Sequence, residues 1–229
     1  MGKQKFSGLM DKVYFISGLG ADKRVFKYLD LSFCEPVYID WIEARAGETL
    51  AQYATRLREF IPEEAPVIVG LSLGGMIATE MAKQDAKVKS IIISSNKIAS
   101  EFPRHLKVFR HFPFHKAIPG AALKKYQKVY TSIFGVKDPE QKKLIYQIVA
   151  DSDMKFVKWA ITAILRWDNN VIPPNLVHIH GTADRLLPYK RAKIDYIIEG
   201  GSHVMTLDKA DQLSVIVKQL VLSYRKELV

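Results

Sequence analysis

The chain has 229 residues and a mass of 26.0 kDa, with 48% hydrophobic and 25% charged residues. These are the proportions of one large globular domain or two small ones, and they exclude a disordered tail, a collagen-like chain and a coiled-coil rod. Lys plus Arg is 34 against 24 for Asp plus Glu, a net charge of +10 with a pI near 9.5; such a balance either attracts anions or forms a solvated lysine-rich coat.

The segment Met1 to Met10 carries lysines without an apolar stretch behind them, so no signal peptide is expected. Phe6 stands where a myristoylation signal needs Ser or Thr. Val13-Tyr14-Phe15-Ile16 is a β-branched and aromatic run that ends at Ser17-Gly18-Leu19-Gly20, the pattern of a buried strand breaking into a tight loop. Asp22 then caps a short helix bearing Val25, Phe26 and Leu29. The single cysteine, Cys34, allows no internal disulfide and points to a reducing, cytoplasmic setting. Pro36 to Trp41 reads as a second strand. Thr49 to Phe60 has helical spacing through Leu50, Tyr53, Ala54 and Leu57, and Pro62 stops it. Pro66 to Val69 is a third strand, Gly74 to Lys83 a helix and Val88 to Ser94 a fourth strand. The apolar run around the third strand, 65–79, is broken by glycines and is shorter than the ~18 residues of a membrane-spanning helix, so no stable membrane insertion is expected.

From Ile98 to Trp167 the alternation stops, and several helices follow without a strand. Leu176 to His180 and Ile194 to Ile198 supply two more strands, and Leu207 to Arg225 a final amphipathic helix. Short apolar strands alternating with helices predict a parallel sheet covered on both faces. The strand-free stretch is a helical insertion, 98–167, in a core made of 1–97 and 168–229.

Gly70-Leu71-Ser72-Leu73-Gly74 fits G-x-S-x-G, a pattern that holds a nucleophilic serine proud of a sheet on a sharp strand-to-helix turn. Side chains two residues either side of the serine would collide there, so Gly70 and Gly74 are needed. About 0.04 chance matches are expected for this composition, and the strand before and helix after supply the context the motif requires. The bland alternative is a tight turn that happens to contain a serine.

A serine needs a base, and the base an orienting acid. Of the six histidines, His105, His111 and His115 fall in the insertion, and His178 and His180 share one face of a strand, packed or half-buried. His203 follows Gly200-Gly201-Ser202 at a strand's C-terminal end, where ligands gather in open α/β sheets. The acid should also end a strand, and Asp184 does so in the exit loop Gly181-Thr182-Ala183. Asp195, within a strand, and Asp168, at the end of the insertion, read more simply as surface charges. The order is then Ser72, Asp184, His203.

These three segments resemble the α/β-hydrolase superfamily. Its nucleophile elbow is matched at Gly70 to Gly74, its H-G-x-x-D-x-x-x-P acid loop by His180 to Pro188, and its histidine loop by Gly201-Ser202-His203. The resemblance implies an α/β-hydrolase fold: a mostly parallel sheet of about six strands, helices on both faces, and the insertion as a helical cap. Only about a dozen residues precede Val13, so the family's first two antiparallel strands are expected to be missing. It further implies an oxyanion hole from the backbone N–H groups of Leu19 and Leu73, with Gly18 and Gly20 as alternatives to Leu19.

The function so implied is serine-dependent cleavage of a small-molecule carboxylic ester or thioester, without metal or other cofactor. A non-catalytic receptor on the same fold, acyl transfer, C–C bond hydrolysis and cofactor-free peroxidation are the alternatives. Residues 101–165 hold 12 Lys or Arg and 5 Asp or Glu. A cap so basic would favour an anionic acyl carrier, unless its lysines are only solvated helix faces. No binding-fold motif accompanies the charge, so nucleic acid is not expected. The cap's aromatics, among them Phe102, Phe134, Phe156 and Trp159, are expected to pack against the sheet, with Phe112-Pro113-Phe114 as a candidate wedge in the acyl pocket. The oligomeric state is not specified.

Overall fold

A computed structural model describes residues 11–103 and 127–227. Six strands form one sheet in the order β2-β1-β3-β4-β5-β6: β1 Lys12–Ile16, β2 Glu35–Ile39, β3 Val67–Leu71, β4 Lys89–Ile93, β5 Leu176–Gly181 and β6 Tyr196–Ile198. All five pairings are parallel. Every strand expected from the sequence is present, with ends shifted by at most two residues. Residues 104–126, which include Phe112, Phe114 and half of the basic residues counted above, lie outside the described residues.

Alternation along each strand sends side chains to two cores. Tyr14, Ile16, Ile68 and Ile92 face one side, where α1 (Leu50–Arg58) and α2 (Leu73–Gln84) cover them. Val13, Phe15, Val69, Ile91 and Ile93 face the other, under the last helix. Apolar residues on both faces are what a central parallel strand requires. Thr49 begins α1 with a capping box: its hydroxyl accepts from the Gln52 N–H and the Gln52 side chain accepts from the Thr49 N–H. Asp22 caps the 3₁₀ turn Lys23–Phe26, as its position before Val25 and Phe26 implied.

The stretch between β4 and β5 contains α3 (Gln127–Phe134), α4 (Pro139–Asp151) and α5 (Met154–Arg166), with a 3₁₀ turn at Ala99–Glu101 and no strand among the described residues. Helix α5 docks on the sheet side through aromatic rings. Phe156 stacks on Trp41 at 4.9 Å, Trp159 lies 4.6 Å from Tyr53, and the Trp159 indole donates to the Glu48 carbonyl.

The expected single helix from Leu207 to Arg225 is instead two, α6 (Met205–Asp208) and α7 (Ala210–Glu227). Lys209 leaves the helical region at φ −133°, ψ 31°. The turn is held separately because the Asp208 carboxylate accepts from both the N–H and the hydroxyl of Ser202 in the preceding loop. Helix α7 then buries Leu213, Val217, Leu220 and Val221 as its spacing requires.

Candidate active site

The site is assembled from loops at the C-terminal ends of β1, β3, β5 and β6. The turn after β3 places Ser72 at φ 52°, ψ −113°, a conformation that is strained for any L side chain. The surrounding structure enforces it. The Ser72 N–H donates to the Ile93 carbonyl, while the Ser72 carbonyl accepts from the N–H groups of Gly75 and Met76 and from the Ser95 hydroxyl. A Cβ at Gly74 would sit 2.2 Å from the Ile16 carbonyl oxygen, and one at Gly70 2.3 Å from the Gly74 oxygen. Both glycines of the pentapeptide are therefore imposed by close backbone packing, and the hydroxyl of Ser72 is left pointing into a cavity that it lines.

The loops after β5 and β6 are in backbone contact. The Ala183 N–H donates to Gly201 O and the Thr182 N–H to Ile198 O, and a Cβ at Gly181 would fall 2.2 Å from Gly201 O. This contact sets the spacing between Asp184 and His203. His203 Nδ1 lies 2.8 Å from Asp184 Oδ2, and His203 Nε2 lies 3.0 Å from Ser72 Oγ. An ionised Asp184 accepts a hydrogen bond from Nδ1–H and so keeps the proton on that nitrogen, which leaves the Nε2 lone pair facing the serine hydroxyl. Burial by itself raises the Asp184 carboxyl. The charge of His203 and the hydrogen bonds from His180 and His203 outweigh it and hold the group well below the usual carboxylate range. Asp184 Oδ1 also accepts from the N–H groups of Leu186 and Leu187.

Asp168 and Asp195 are exposed. The Asp195 carboxylate accepts from the His178 N–H at the edge of the sheet, away from His203. Leu19 and Leu73 line the same cavity as Ser72 and His203. Among the described residues no group of three His, Cys, Asp or Glu side chains is placed to hold a metal ion, and no helix is long and apolar enough to cross a membrane.

The cavity has a volume of about 370 Å³. Leu71 of β3 and Leu73 and Met76 of α2 line it from the core, and Ile148 of α4 with Val157, Ile161 and Ile164 of α5 from the insertion. Among the described residues, Ser72, Ser152 and His203 are the only polar side chains in its lining, and no charged side chain lines it.

Two neighbours of the site escaped the sequence reading. Phe134, the last residue of α3, stacks on the His203 ring at 5.5 Å, and its carbonyl accepts from the His203 N–H. Nothing distinguished it from the other aromatics of the insertion. His180 is buried, the packed alternative of the two expected, and its Nε2 lies 3.1 Å from Asp184 Oδ2. The i, i+4 spacing of His180 and Asp184 was visible, but it has no fixed meaning across a strand and a loop.

Comparison with known proteins agrees with this architecture. The model of the alpha/beta hydrolase family matches residues 13–214. No curated protein matches the sequence. Among solved structures the chain is similar to a thermophilic esterase from Thermogutta terrifontis, at 14% identity with a TM-score of 0.75, covering 95% of this chain and 91% of that one. It is similar to a carboxylesterase of the ammonia-oxidizing thaumarchaeon Nitrososphaera gargenis, at 15% identity and a TM-score of 0.75, covering 95% and 92%. It is also similar to a bromoperoxidase from Bacillus anthracis, at 15% identity and a TM-score of 0.69, covering 96% and 93%.

Proposed function

The chain belongs to the alpha/beta hydrolase family, and from that premise we propose that it is a serine hydrolase cleaving carboxylic esters or thioesters through an acyl-enzyme on Ser72. The observation that carries this reading is the chain of contacts from Ser72 Oγ through His203 to Asp184, opening onto an apolar cavity. Ser72 Oγ attacks the substrate carbonyl carbon while His203 Nε2 takes its proton. The N–H groups of Leu19 and Leu73 receive the developing oxyanion, a contact worth about 3–4 kcal/mol per donor in the transition state. His203 then protonates the leaving alcohol or thiol. Water, deprotonated by the same imidazole, releases the acid and restores Ser72. Asp184 stays ionised throughout and fixes the ring.

The lining favours an uncharged aliphatic acyl group. Burying a carboxylate or ammonium against these side chains, with no partner, is disfavoured by several kcal/mol at least. At the small end of the ~300–1,000 Å³ range of ligand sites, the cavity suits short-to-medium chains. In this reading 98–167 is the cap and 1–97 with 168–229 the core. An anionic acyl carrier would contact the cap's described lysines outside the cavity, because none of these lines it. Neutralising exposed Lys137, Lys143 and Lys155 would then raise KM for a carrier-bound thioester more than for a neutral ester.

The test is hydrolysis of p-nitrophenyl esters from acetyl to lauroyl, wild type beside Ser72→Ala, with a fluorophosphonate probe in parallel. Activity lost in the variant and peaking below lauroyl is the expected result. Labelling without ester turnover would redirect the search to thioesters. A folded wild type that is neither active nor labelled would sink the hydrolase reading in favour of a ligand receptor.

A further inference from the structure

We propose that His180 is a positioning residue for the catalytic acid, its Nε2–H shared between the Leu187 carbonyl and the Asp184 carboxylate so that Asp184 keeps the orientation His203 requires. The inference rests on the roles given above to Ser72, His203 and Asp184.

His180 is the fifth residue of β5 and is 1% exposed. Its Nε2 lies 2.7 Å from Leu187 O and 3.1 Å from Asp184 Oδ2. Both neighbours are acceptors, so this nitrogen carries the proton. The carboxylate of Asp184 is then held from three sides. Two backbone N–H groups fix Oδ1, at 2.9 and 2.8 Å, while Oδ2 lies between His203 Nδ1 and His180 Nε2. Without His180, rotation about the Cα–Cβ and Cβ–Cγ bonds is opposed by the Oδ1 contacts and His203 alone. The same proton also ties the far end of the acid loop, Leu187, back to the strand from which the loop departs.

The opposite edge of the ring is fixed as well. His180 Nδ1 lies 2.9 Å from His178 Nε2, with the rings edge to face. His178 is completely buried. Burial first, then the charges of His180 and Lys97, hold it well below the ordinary histidine range, so it acts as a neutral brace. The other ionisable groups felt by this pair are Glu101, Asp184 and Lys97, of which Lys97 donates to the Lys193 carbonyl and Glu101 accepts from the Lys97 N–H. His180 does not line the cavity. Its influence on the reaction therefore passes through Asp184.

The experiment compares His180→Phe and His180→Gln, alone and combined with Asp184→Asn, on the best p-nitrophenyl ester. Phe keeps the volume and loses the donor, whereas the Gln amide restores an N–H. The expected result is a kcat about 10- to 100-fold lower in His180→Phe, the scale of a small misplacement of a catalytic group, with KM nearly unchanged. The acid limb of the kcat/KM profile, which reports His203, should move with it. His180→Gln should recover most of the loss, and His180→Phe should add nothing to Asp184→Asn. A folded His180→Phe with wild-type kcat and acid limb, beside a crippled Asp184→Asn, overturns the inference and leaves the acid in place. An active Asp184→Asn shows instead that the acid is misassigned, and the inference falls with it. Should His180→Phe not fold, ¹⁵N spectra of the wild-type histidines decide. A protonated Nε2 on His180 throughout the titration of His203 is required, and the Nδ1–H tautomer would refute the proposal.

Discussion

At Ser72 the backbone adopts φ 52° because neighbouring segments of the chain hold it there. The carbonyls of Ile16 and Ser17 lie 2.2 and 2.5 Å from where a Gly74 Cβ would be. Gly74→Ala should therefore destabilise by at least about 3 kcal/mol through backbone displacement. Gly47→Ala, at φ +75° with nothing within 4 Å, should cost only about 1 kcal/mol for the unfavourable dihedral. Denaturant midpoints of the two variants, side by side, separate steric from conformational cost. Ser72→Ala should reduce kcat by at least ~10³-fold with little change in stability. Asp184→Asn should lose ~10⁴-fold by admitting the wrong tautomer of His203, while Asp168→Asn, at an exposed position, should keep wild-type kcat. A loss in Asp168→Asn rather than Asp184→Asn would reassign the acid. The three candidate residues could be picked out of the sequence because each combines a chemically apt side chain with the end of a strand. The contacts of His180 and Phe134 with that group could not, because each depends on a ring meeting a residue brought close only by the fold.

At the scale of elements, strands and core helices were readable from short-range patterns, and the insertion was readable only as helical. What α5 touches was not. Trp41 follows β2, Tyr53 sits on α1, and Phe156 and Trp159 lie more than 100 residues later, yet they form one aromatic seam with ring centroids 4.6–6.3 Å apart. Phe156→Ala opens a hole in that seam and should cost about 3 kcal/mol, visible as a lower urea midpoint with an unchanged slope. A cost below about 0.5 kcal/mol would mean that α5 does not rely on the seam for its position. The break between α6 and α7 was missed for a related reason. The helical periodicity runs through Lys209, and only the bonds from Ser202 to Asp208 stop the first turn from joining the second.

For the whole molecule, buried ionisable groups set the response to acid. His178 is held neutral well below its ordinary value near 6.5. The unfolded chain binds a proton that the native chain refuses, so this stability is full above about pH 6.5 and is lost as pH falls below it. Asp184, held low, contributes stability above about pH 4 that is lost at more acid pH. Glu101 and Asp208 are raised by burial and work in the opposite sense, stabilising at low pH and losing that contribution as pH rises through their native values. Between pH 7 and 5 the urea midpoint should fall, with net proton uptake on unfolding. A midpoint that is flat or rises toward pH 5 would show that His178 does not govern this range.

Taken alone, the sequence determined the sheet, the order of its strands along the chain, the elbow at Ser72 and the candidates Asp184 and His203. These follow from local rules: the period of apolar residues, the glycines a tight turn demands and the ends at which strands release their loops. Only the tertiary structure decided that the described lining of the cavity is apolar apart from Ser72, Ser152 and His203, that α3 delivers Phe134 onto His203, and that His178 and His180 stand behind Asp184. Each of those facts is a juxtaposition of segments far apart in the chain or the closing of a loop. Such contacts arise when two apolar faces bury each other, and no periodicity within either segment records which partner it meets.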